Sequence, residues 1–451
     1  MEMLGLRDKP FLKRLVQISL PLMFQQLLNT AMYMADTLML GALGDVPLAG
    51  AGAANQLVYV LDICLFGITG GGGVFMAQHW GKKNVSGIRS TLGLCVMLSF
   101  AFCVVFFAAG VLFPVGVTGL FSKEAAVAQS GALYLKIAAW SYLFKAIIYP
   151  YSTAHKSAGN PRLPTITGAI GISVDMVLNY LLIFGKLGFP KLGIAGAAYS
   201  TVIGGALDAA LLLFFSYYKE TPARARLKEF LHQTKADFKR FWEVTLPVFA
   251  DDAIWALGTV AMSYVYGQMG TQPFAAMMIV NTVDQLTMIA LMGLGVGGSV
   301  MLGNAMGEGD HKRAHLYGKR FLALSFTVGL FMTALVALLG TKMPFLYANA
   351  TAEARNMASS TILSMAFLQP VYGLNFMMIV GILRAGGDTH AAAYIDLLPL
   401  WLVSVPLTAL LGLLFHAPLW LVYLVAVPAS LVRLFFGLRR MKTGRWLKTL
   451  V

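Results

Sequence analysis

The sequence has few charged residues and few cysteines. Only 12% of its 451 residues are charged, 58% are hydrophobic, and the mean hydropathy is +0.72. A soluble domain carries about 25% charged residues, so the composition excludes soluble, disordered and coiled-coil chains. The three cysteines all lie in apolar stretches. An odd number in such surroundings indicates packing residues rather than a disulfide framework.

Familiar catalytic and nucleotide-binding motifs are also missing. The sequence contains no Walker A motif, no H-E-x-x-H, no G-x-S-x-G and no Cys/His cluster with metal-ligand spacing. We therefore expect neither an enzyme nor a bound cofactor or structural metal, and no direct use of ATP. The absence of a TVGYG-type filter disfavours a channel.

Long apolar runs dominate what is present. Twelve segments between residues 14 and 438 are each long enough to cross a ~30 Å hydrocarbon core, and none alternates like a barrel strand. The sequence predicts an all-α polytopic membrane protein with twelve transmembrane helices. The net charge of +14 reflects Lys and Arg concentrated in alternate loops, which predicts two cytoplasmic termini and no nucleic-acid partner.

The two halves of the sequence repeat each other. Residues 12–84 align without a gap on residues 238–310, and the alignment pairs Pro21 with Pro247. Prolines inside spans 1 and 7 are positioned to bend those helices. With six spans in each half, both halves insert in the same direction. We therefore predict two six-helix bundles related by a pseudo-two-fold axis along the membrane normal.

This repeat also predicts the domain organisation. An N-terminal bundle at residues 1–217 and a C-terminal bundle at residues 241–451 are joined by a cytoplasmic linker at residues 218–240. Transporters built from such parallel repeats bind substrate near the midplane, between the halves, and expose it by rocking one half against the other. Asn55 and its repeat partner Asn281 are candidates to line that cavity.

Polar side chains inside the spans are candidates for function, because a charge at membrane depth costs at least about 2.5 kcal/mol. Asp36 lies late in span 1, while Asp175 and Asn179 of span 5 share one helix face. Thr201 of span 6 lies at a similar depth. These oxygens could share a proton or bind Na⁺. Alternatively, Asp175 and Asn179 only form hydrogen bonds between helices.

The C-terminal half carries different charges. Asp36 aligns with Met262, whereas Asp251 and Asp252 follow the span-7 proline. Adjacent helical residues point about 100° apart. We therefore expect only one of the two aspartates to face the cavity, and we favour Asp252. Lys145 in the middle of span 4 could pair with one of the acids or extend its amino group to the interface.

The chain resembles the MATE (multidrug and toxic compound extrusion) family of the flippase superfamily, closer to its prokaryotic DinF-like branch. The resemblance rests on five motifs that follow one another along nearly the whole chain. These are "ADTLMLGALG", "AQHWGKKN", "VLNYLLIFGKLGFPKLGIAGAAYSTV", "NAMGEGD" and "GILRAGGDT".

The resemblance implies a site as well as a function. Members of this family export organic cations in exchange for H⁺ or Na⁺. Asp36 matches the span-1 acid that they use for ion coupling, and Asp175, Asn179 and Thr201 match polar positions around it. Pro21 matches a proline linked to bending of span 1.

One position departs from the NorM-like branch. That branch carries a Glu eight residues after the span-7 proline, where this chain has Trp255, and Asp252 lies three residues earlier. Because of this difference, ion coupling through the C-terminal half is less expected, and Asp36 is favoured as the coupling residue. Trp255 remains a candidate cavity residue.

We therefore expect an antiporter that exports amphipathic, cationic compounds by alternating access, coupled to H⁺ or Na⁺. It would be a multi-pass monomer in the plasma (inner) membrane of a prokaryote, with the lipid bilayer and a small organic molecule as its partners. A lipid-linked or polysaccharide flippase is the main alternative. A major-facilitator carrier ranks lower, since the loop "GKKNVSGIR" lacks that family's motif, and a channel or membrane scaffold ranks lower too.

Overall fold

The computed structural model describes residues 8–121, 124–226, 229, 234–347 and 351–451. Across these ranges it contains helices and no strands, which confirms the all-α prediction. Short helices at Pro114–Gly119 and Gly340–Leu346 follow the third and ninth long segments. The first six long segments are α1 (Lys9–Gly41), α2 (Asp45–Gly81), α3 (Val85–Leu112), α4 (Ala125–Ala138 and Trp140–Ser157), α5 (Arg162–Phe184) and α6 (Ile194–Tyr218). The next three are α7 (Lys235–Gln268), α8 (Thr271–Gly307) and α9 (His311–Leu338). The last three each consist of consecutive helical pieces: α10 (Ala352–Phe376 and Met377–Arg384), α11 (Thr389–Pro399, Leu400–Ser404, Val405–Ala409 and Leu410–Leu414) and α12 (Leu419–Leu424 and Ala426–Lys442).

Most of these segments have the length and composition of membrane spans. In the described ranges, ten pass on length and hydropathy, and α4, bent by 51°, makes an eleventh. The 33-residue α1 falls outside this set because polar residues such as Gln25, Gln26 and Asn29 interrupt its apolar run. The chain is therefore a polytopic membrane protein, and Asp36 lies on the long helix that this set leaves out.

The helix boundaries reproduce the internal repeat. α2 and α8 each have 37 residues, and α3 and α9 each have 28. Asn84 caps α3 by accepting a 2.9 Å bond from the backbone N–H of Gly87, and its aligned residue Asp310 caps α9 by accepting a 2.9 Å bond from the N–H of Arg313. Each cap satisfies a free N–H group of the first turn, so the same local chemistry starts both helices.

By spatial proximity the chain forms two compact units. Unit 1 comprises Met1–Met23 and Ala250–Val451, and unit 2 comprises Phe24–Phe249. The chain changes unit two residues after Pro21 in α1 and two residues after Pro247 in α7. The repeat alignment relates these two points, so both helices divide at the same place in their sequence.

These units differ from the predicted sequence halves. The described part of the linker at residues 218–240 belongs to unit 2, together with the first part of α7. The predicted bundles at residues 1–217 and 241–451 describe membrane topology and remain a prediction.

Each unit has its own apolar core. Burying such side chains stabilises each unit by about 25 cal/mol per Å² of apolar surface removed from the surroundings of the unfolded chain. The fully buried residues of unit 2 include Leu61, Leu65, Leu135 and Tyr142. Those of unit 1 include Ile18, Met301, Phe321 and Trp446, with a second cluster around Val280, Ile362 and Met365.

In unit 1 the C-terminal residues pack against the loop between α10 and α11. The backbone N–H of Lys448 donates a 2.8 Å bond to the carbonyl of Gly386, and Trp446 is fully buried. Asp388, itself 1% exposed, accepts bonds from Arg440 Nε at 2.6 Å and from Lys448 Nζ at 2.6 Å. Burial by itself raises the pKa of Asp388, but the bonds from Arg440 and Lys448 outweigh it and hold the pKa below its ordinary value.

Removing this carboxylate should destabilise unit 1. We expect Asp388→Asn to lower the free energy of unfolding by roughly 1–3 kcal/mol, since hydrogen bonds to charged groups are lost. A group with a lowered folded pKa stabilises fully above its unfolded pKa of about 3.9 and loses this effect as the pH falls through the folded pKa. The difference from wild type should therefore be present at pH 7 and shrink below about pH 4.

Thermal unfolding of the detergent-solubilised protein, followed over this pH range, measures the effect. Asp310→Asn is the matched control, because Asn also caps a helix and Asp310 is exposed. Equal melting temperatures for Asp388→Asn and wild type at pH 7 would contradict the assignment.

Candidate functional site

Unit 2 brings together side chains from α1, α5 and α6. The Asn179 amide nitrogen donates to Asp36 Oδ1 at 2.6 Å and lies 3.4 Å from Asp175 Oδ1. On its other side, the Asn179 carbonyl oxygen accepts a 2.7 Å bond from the Ser200 hydroxyl. Asn179 thus connects two carboxylates from different helices. We call Asp36, Asp175, Asn179 and Ser200 the carboxylate cluster.

Most of this cluster is buried, and its negative charge is not neutralised by a described side chain. Asp175 is 2% exposed and Asn179 is 1% exposed, whereas Asp36 is half-buried, and Asp175 Oδ2 has no hydrogen-bond partner among the described residues. No ion pair between described residues includes Asp36 or Asp175. An unpaired buried carboxylate is costly, so this arrangement favours the uptake of a proton or a small cation.

Thr201 lies beside the carboxylate cluster rather than within its hydrogen bonds. Its hydroxyl donates to the carbonyl of Ala197 at 3.0 Å. Thr201 is predicted from the sequence, whereas Ser200, the residue before it on the same helix, is not. The motif could have indicated both hydroxyls, but only the helix packing decides which one reaches Asn179.

A close crossing of α5 and α6 holds the cluster in place. Gly171 and Asp175 on α5 have the spacing G-x-x-x-D, and so do Gly204 and Asp208 on α6. A Cβ at Gly204 would lie 2.8 Å from the Cβ of Asp175, and a Cβ at Gly171 would lie 3.0 Å from the Cβ of Asp208. Each glycine therefore makes room for the aspartate of the other helix.

Lys145 forms an ion pair within unit 2. Its Nζ lies 2.7 and 2.9 Å from the two carboxylate oxygens of Asp62 on α2. The structure thus favours pairing, the first of the two interpretations of this lysine. The pair is separate from the carboxylate cluster and largely cancels its own charge.

Unit 1 contains a different arrangement, centred on Arg384 at the end of α10. One guanidinium nitrogen of Arg384 lies 2.7 Å from Asp251 Oδ2 and 2.8 Å from Asp252 Oδ1, so both adjacent aspartates of α7 contact the same group. Nearby, Arg433 pairs with Asp396 at 3.0 Å. The sequence analysis missed Arg384, although it belongs to the motif "GILRAGGDT", because its partners lie more than a hundred residues away.

The remaining candidate residues take part in none of these ion pairs. Asn55 and Asn281 are half-buried on α2 and α8, and Trp255 is 43% exposed on α7. Pro21 and Pro247 lie within α1 and α7, respectively. Among the described residues, no group of three or more His, Cys, Asp or Glu side chains could hold a metal ion. A bound Na⁺ would have to use carboxylate oxygens together with amide or hydroxyl oxygens.

Long apolar helices that enclose an unpaired acidic cluster define a polytopic membrane transporter. The family model MatE matches residues 21–181 and 247–410, so the chain belongs to the MatE family. This confirms the resemblance seen in the sequence. Because the family and the relatives below are transporters, the chain is a transporter rather than an enzyme.

Curated relatives match over most of the chain. A probable multidrug resistance protein NorM of Rhizobium meliloti is 28% identical over 85% of this chain and 83% of its own length. A second protein of that name, from Thermotoga maritima, is 26% identical over 70% of this chain and 68% of its own length. An uncharacterized transporter, YisQ of Bacillus subtilis, is 23% identical over 98% of this chain and 96% of its own length.

Solved structures share the fold. A MATE protein crystallised in a bent conformation superposes with a TM-score of 0.86 at 15% identity, covering 99% of this chain and 98% of its own. A MOP superfamily transporter from Pyrococcus furiosus also gives a TM-score of 0.86, at 14% identity and 96% coverage of both chains. At these identities the likeness concerns the fold alone.

Adding one methyl group at the crossing of α5 and α6 should disturb it. We expect Gly204→Ala to destabilise the protein by about 1–3 kcal/mol, because its Cβ would overlap with Asp175 and the carbonyl of Gly171. The adjacent Gly205→Ala is the matched control, since its Cβ would have no neighbour closer than 3.9 Å. Melting temperatures of the two purified variants test this, and equal values would contradict it.

Proposed function

We propose that the chain is a secondary antiporter that exports amphipathic, cationic organic compounds in exchange for H⁺ or Na⁺ by alternating access. The observation that carries the proposal is the carboxylate cluster, in which the buried Asp175 and the half-buried Asp36, from different helices, have no cationic partner among the described residues. With no Walker A motif in the sequence, an ion gradient is the available energy source.

Binding of a cation at the cluster provides the coupling. Asp36 accepts a hydrogen bond from Asn179 of α5, so a change in the charge of Asp36 alters this bond. Asp36 lies C-terminal to Pro21 on α1, and a proline is a site at which a helix can bend. The ion drives transport only if it binds one conformation better than the other. A tenfold preference corresponds to about 1.4 kcal/mol, which one buried carboxylate can supply.

The class of substrate rests on the relatives and on composition. The Rhizobium and Thermotoga relatives bear the name of multidrug resistance proteins. The chain has 24 methionines, and 12% of its residues are aromatic. Flexible Met side chains and aromatic rings suit a binding surface that accepts several organic molecules.

The alternative, a lipid-linked or polysaccharide flippase, needs unpaired basic residues to hold a phosphate group. Lys145, the lysine that this alternative depended on, is neutralised by Asp62. The Pyrococcus transporter is described as having a binding pocket of reversed polarity that suggests a different function. The fold therefore does not select the substrate, and the carboxylate cluster of this chain carries negative charge with no cationic partner among the described residues, which favours a cation.

We further propose that the protein is a monomer in the plasma membrane of a prokaryote, with both termini in the cytoplasm. Its bacterial relatives and its multi-pass helices support the membrane, and the distribution of Lys and Arg supports the orientation. The lipid bilayer and a small organic molecule are its partners, and no cofactor is required.

Neutralising Asp36 should abolish coupling. In reconstituted vesicles, we expect Asp36→Asn to reduce ethidium efflux driven by an inward H⁺ or Na⁺ gradient at least about tenfold, since the variant loses the charge that an ion neutralises. Comparing the two gradients in the wild type also identifies the ion.

The control for this experiment is Asp45→Asn, which removes an exposed carboxylate from the first turn of α2. It should transport like the wild type at equal amounts of inserted protein. If neither gradient moves dye in the wild type, drug export is wrong and lipid-linked substrates become the next test. Normal transport by Asp36→Asn would remove Asp36 from the proposal.

A further inference from the structure

We propose that Asp208 on α6 is a second proton-carrying residue of unit 2, which takes the proton from Asp175 and releases it towards the cytoplasm. The coupling ion is then H⁺, and its path follows the crossing of α5 and α6. This inference rests on the proposed antiport function and adds to it the ion and its exit route.

The reciprocal G-x-x-x-D pairs bring the two aspartates close together. Asp175 lies against Gly204, Asp208 lies against Gly171, and each aspartate follows the glycine of its own helix by four residues. Four residues correspond to a rise of about 6 Å along a helix, and this is the approximate spacing of the two side chains along the crossing. This separation is within the reach of two carboxyl groups joined by one water molecule.

The acidic groups form a series along the helix axes. The carboxylate cluster lies towards the end of α5 at Phe184 and the start of α6 at Ile194, which is the extracellular side in the proposed orientation. Asp208 lies further along α6, in the direction of Tyr218 and the cytoplasm. The order from outside to inside is Asp36, Asp175 and then Asp208.

The surroundings of Asp208 fit a residue that binds and releases a proton. Its Oδ1 is buried and has no hydrogen-bond partner among the described residues. The ammonium group of Lys156, at the cytoplasmic end of α4, interacts electrostatically with its carboxylate, and the Thr167 side chain of α5 lies beside it. A Cβ built at Gly168 of α5 would lie 3.3 Å from the Gln25 side-chain nitrogen of α1 and 3.8 Å from Asp208 Oδ2. Gln25 and Asp208 therefore approach the same part of α5.

His155, which precedes Lys156 on α4, is a further titratable residue, and its Nε2 is hydrogen-bonded to the Ser216 hydroxyl at 2.7 Å. Asp175 therefore faces Asp208 from the extracellular side and Lys156 faces it from the cytoplasmic side. A proton arriving at Asp208 meets a positive charge next, which favours its departure from the carboxyl group.

The orientation of Asn179 supports a proton over Na⁺. Its NH₂ group, a donor, points at Asp36 and Asp175, while its oxygen is used by Ser200. A Na⁺ ion between the two acids would need oxygen ligands, and this amide presents nitrogen there. A proton shared by the carboxyl groups requires no additional ligand.

The transfer is balanced in two steps. The protonated Asp175 loses its proton and becomes a carboxylate, while the Asp208 carboxylate gains it and becomes a carboxyl group, directly or through one water molecule. Asp208 then gives the proton to cytoplasmic water and returns to the carboxylate. Lys156 keeps its own protons throughout and acts by charge alone.

The test uses the full-length protein in vesicles that contain a pH-sensitive dye. We expect Asp208→Asn to reduce H⁺-driven ethidium transport, and the accompanying acidification of the cytoplasmic-side compartment, at least about tenfold. Exchange of labelled for unlabelled substrate without a gradient should stay within about twofold of wild type, because exchange requires no net proton release. Asp208→Glu keeps a carboxyl group and should recover most of the coupled transport.

Asp45→Asn is again the control variant, and it should transport like the wild type. Coupled transport by Asp208→Asn at the wild-type rate overturns the proposal. Loss of both coupled transport and exchange in Asp208→Asn, without recovery in Asp208→Glu, makes Asp208 structural and overturns it too. Coupling of the wild type to Na⁺ alone overturns this inference but leaves the antiporter intact, whereas a wild type without coupled efflux overturns the proposed function itself.

Discussion

The close crossing of α5 and α6 is the constraint on which the rest of unit 2 depends. Without side chains at Gly171 and Gly204, the two backbones approach until each glycine touches the aspartate of the other helix. This approach places Ser200 within 2.7 Å of Asn179 and buries Asp175. In a membrane, small residues let helices pack closely. Such a crossing holds polar side chains between the two helices and away from water.

The charges inside the helices fall into two classes. Asp62 with Lys145 and Asp396 with Arg433 are pairs that largely neutralise themselves, while Asp251 and Asp252 of α7 share the single positive charge of Arg384. Such pairs can hold helices together without exchanging anything with the surroundings. The acids on α1, α5 and α6 take part in no ion pair between described residues, and the proposed cation binding rests on this difference.

The sequence was enough to predict the helical class, the repeat and three members of the carboxylate cluster. The i,i+4 spacing of Asp175 and Asn179 places them on one face, and Asp36 stands out because a lone acid in an apolar run is costly. Ser200 and Arg384 could not be chosen in the same way. A hydroxyl or a guanidinium gains its role from a partner on another helix, and local spacing carries no information about which neighbours meet.

The two prolines of the repeat lie where α1 and α7 pass from one unit to the other. In α1, the residues before the change of unit include Ile18 in the core of unit 1, whereas Asp36 belongs to unit 2. In α7, Thr245 belongs to unit 2 and Asp251 to unit 1. A proline removes one backbone hydrogen bond and makes bending at that point easier. Asp36 therefore lies on a helix whose N-terminal part belongs to unit 1, and in the proposed mechanism α1 is the covalent connection through which cation binding in unit 2 would act on unit 1.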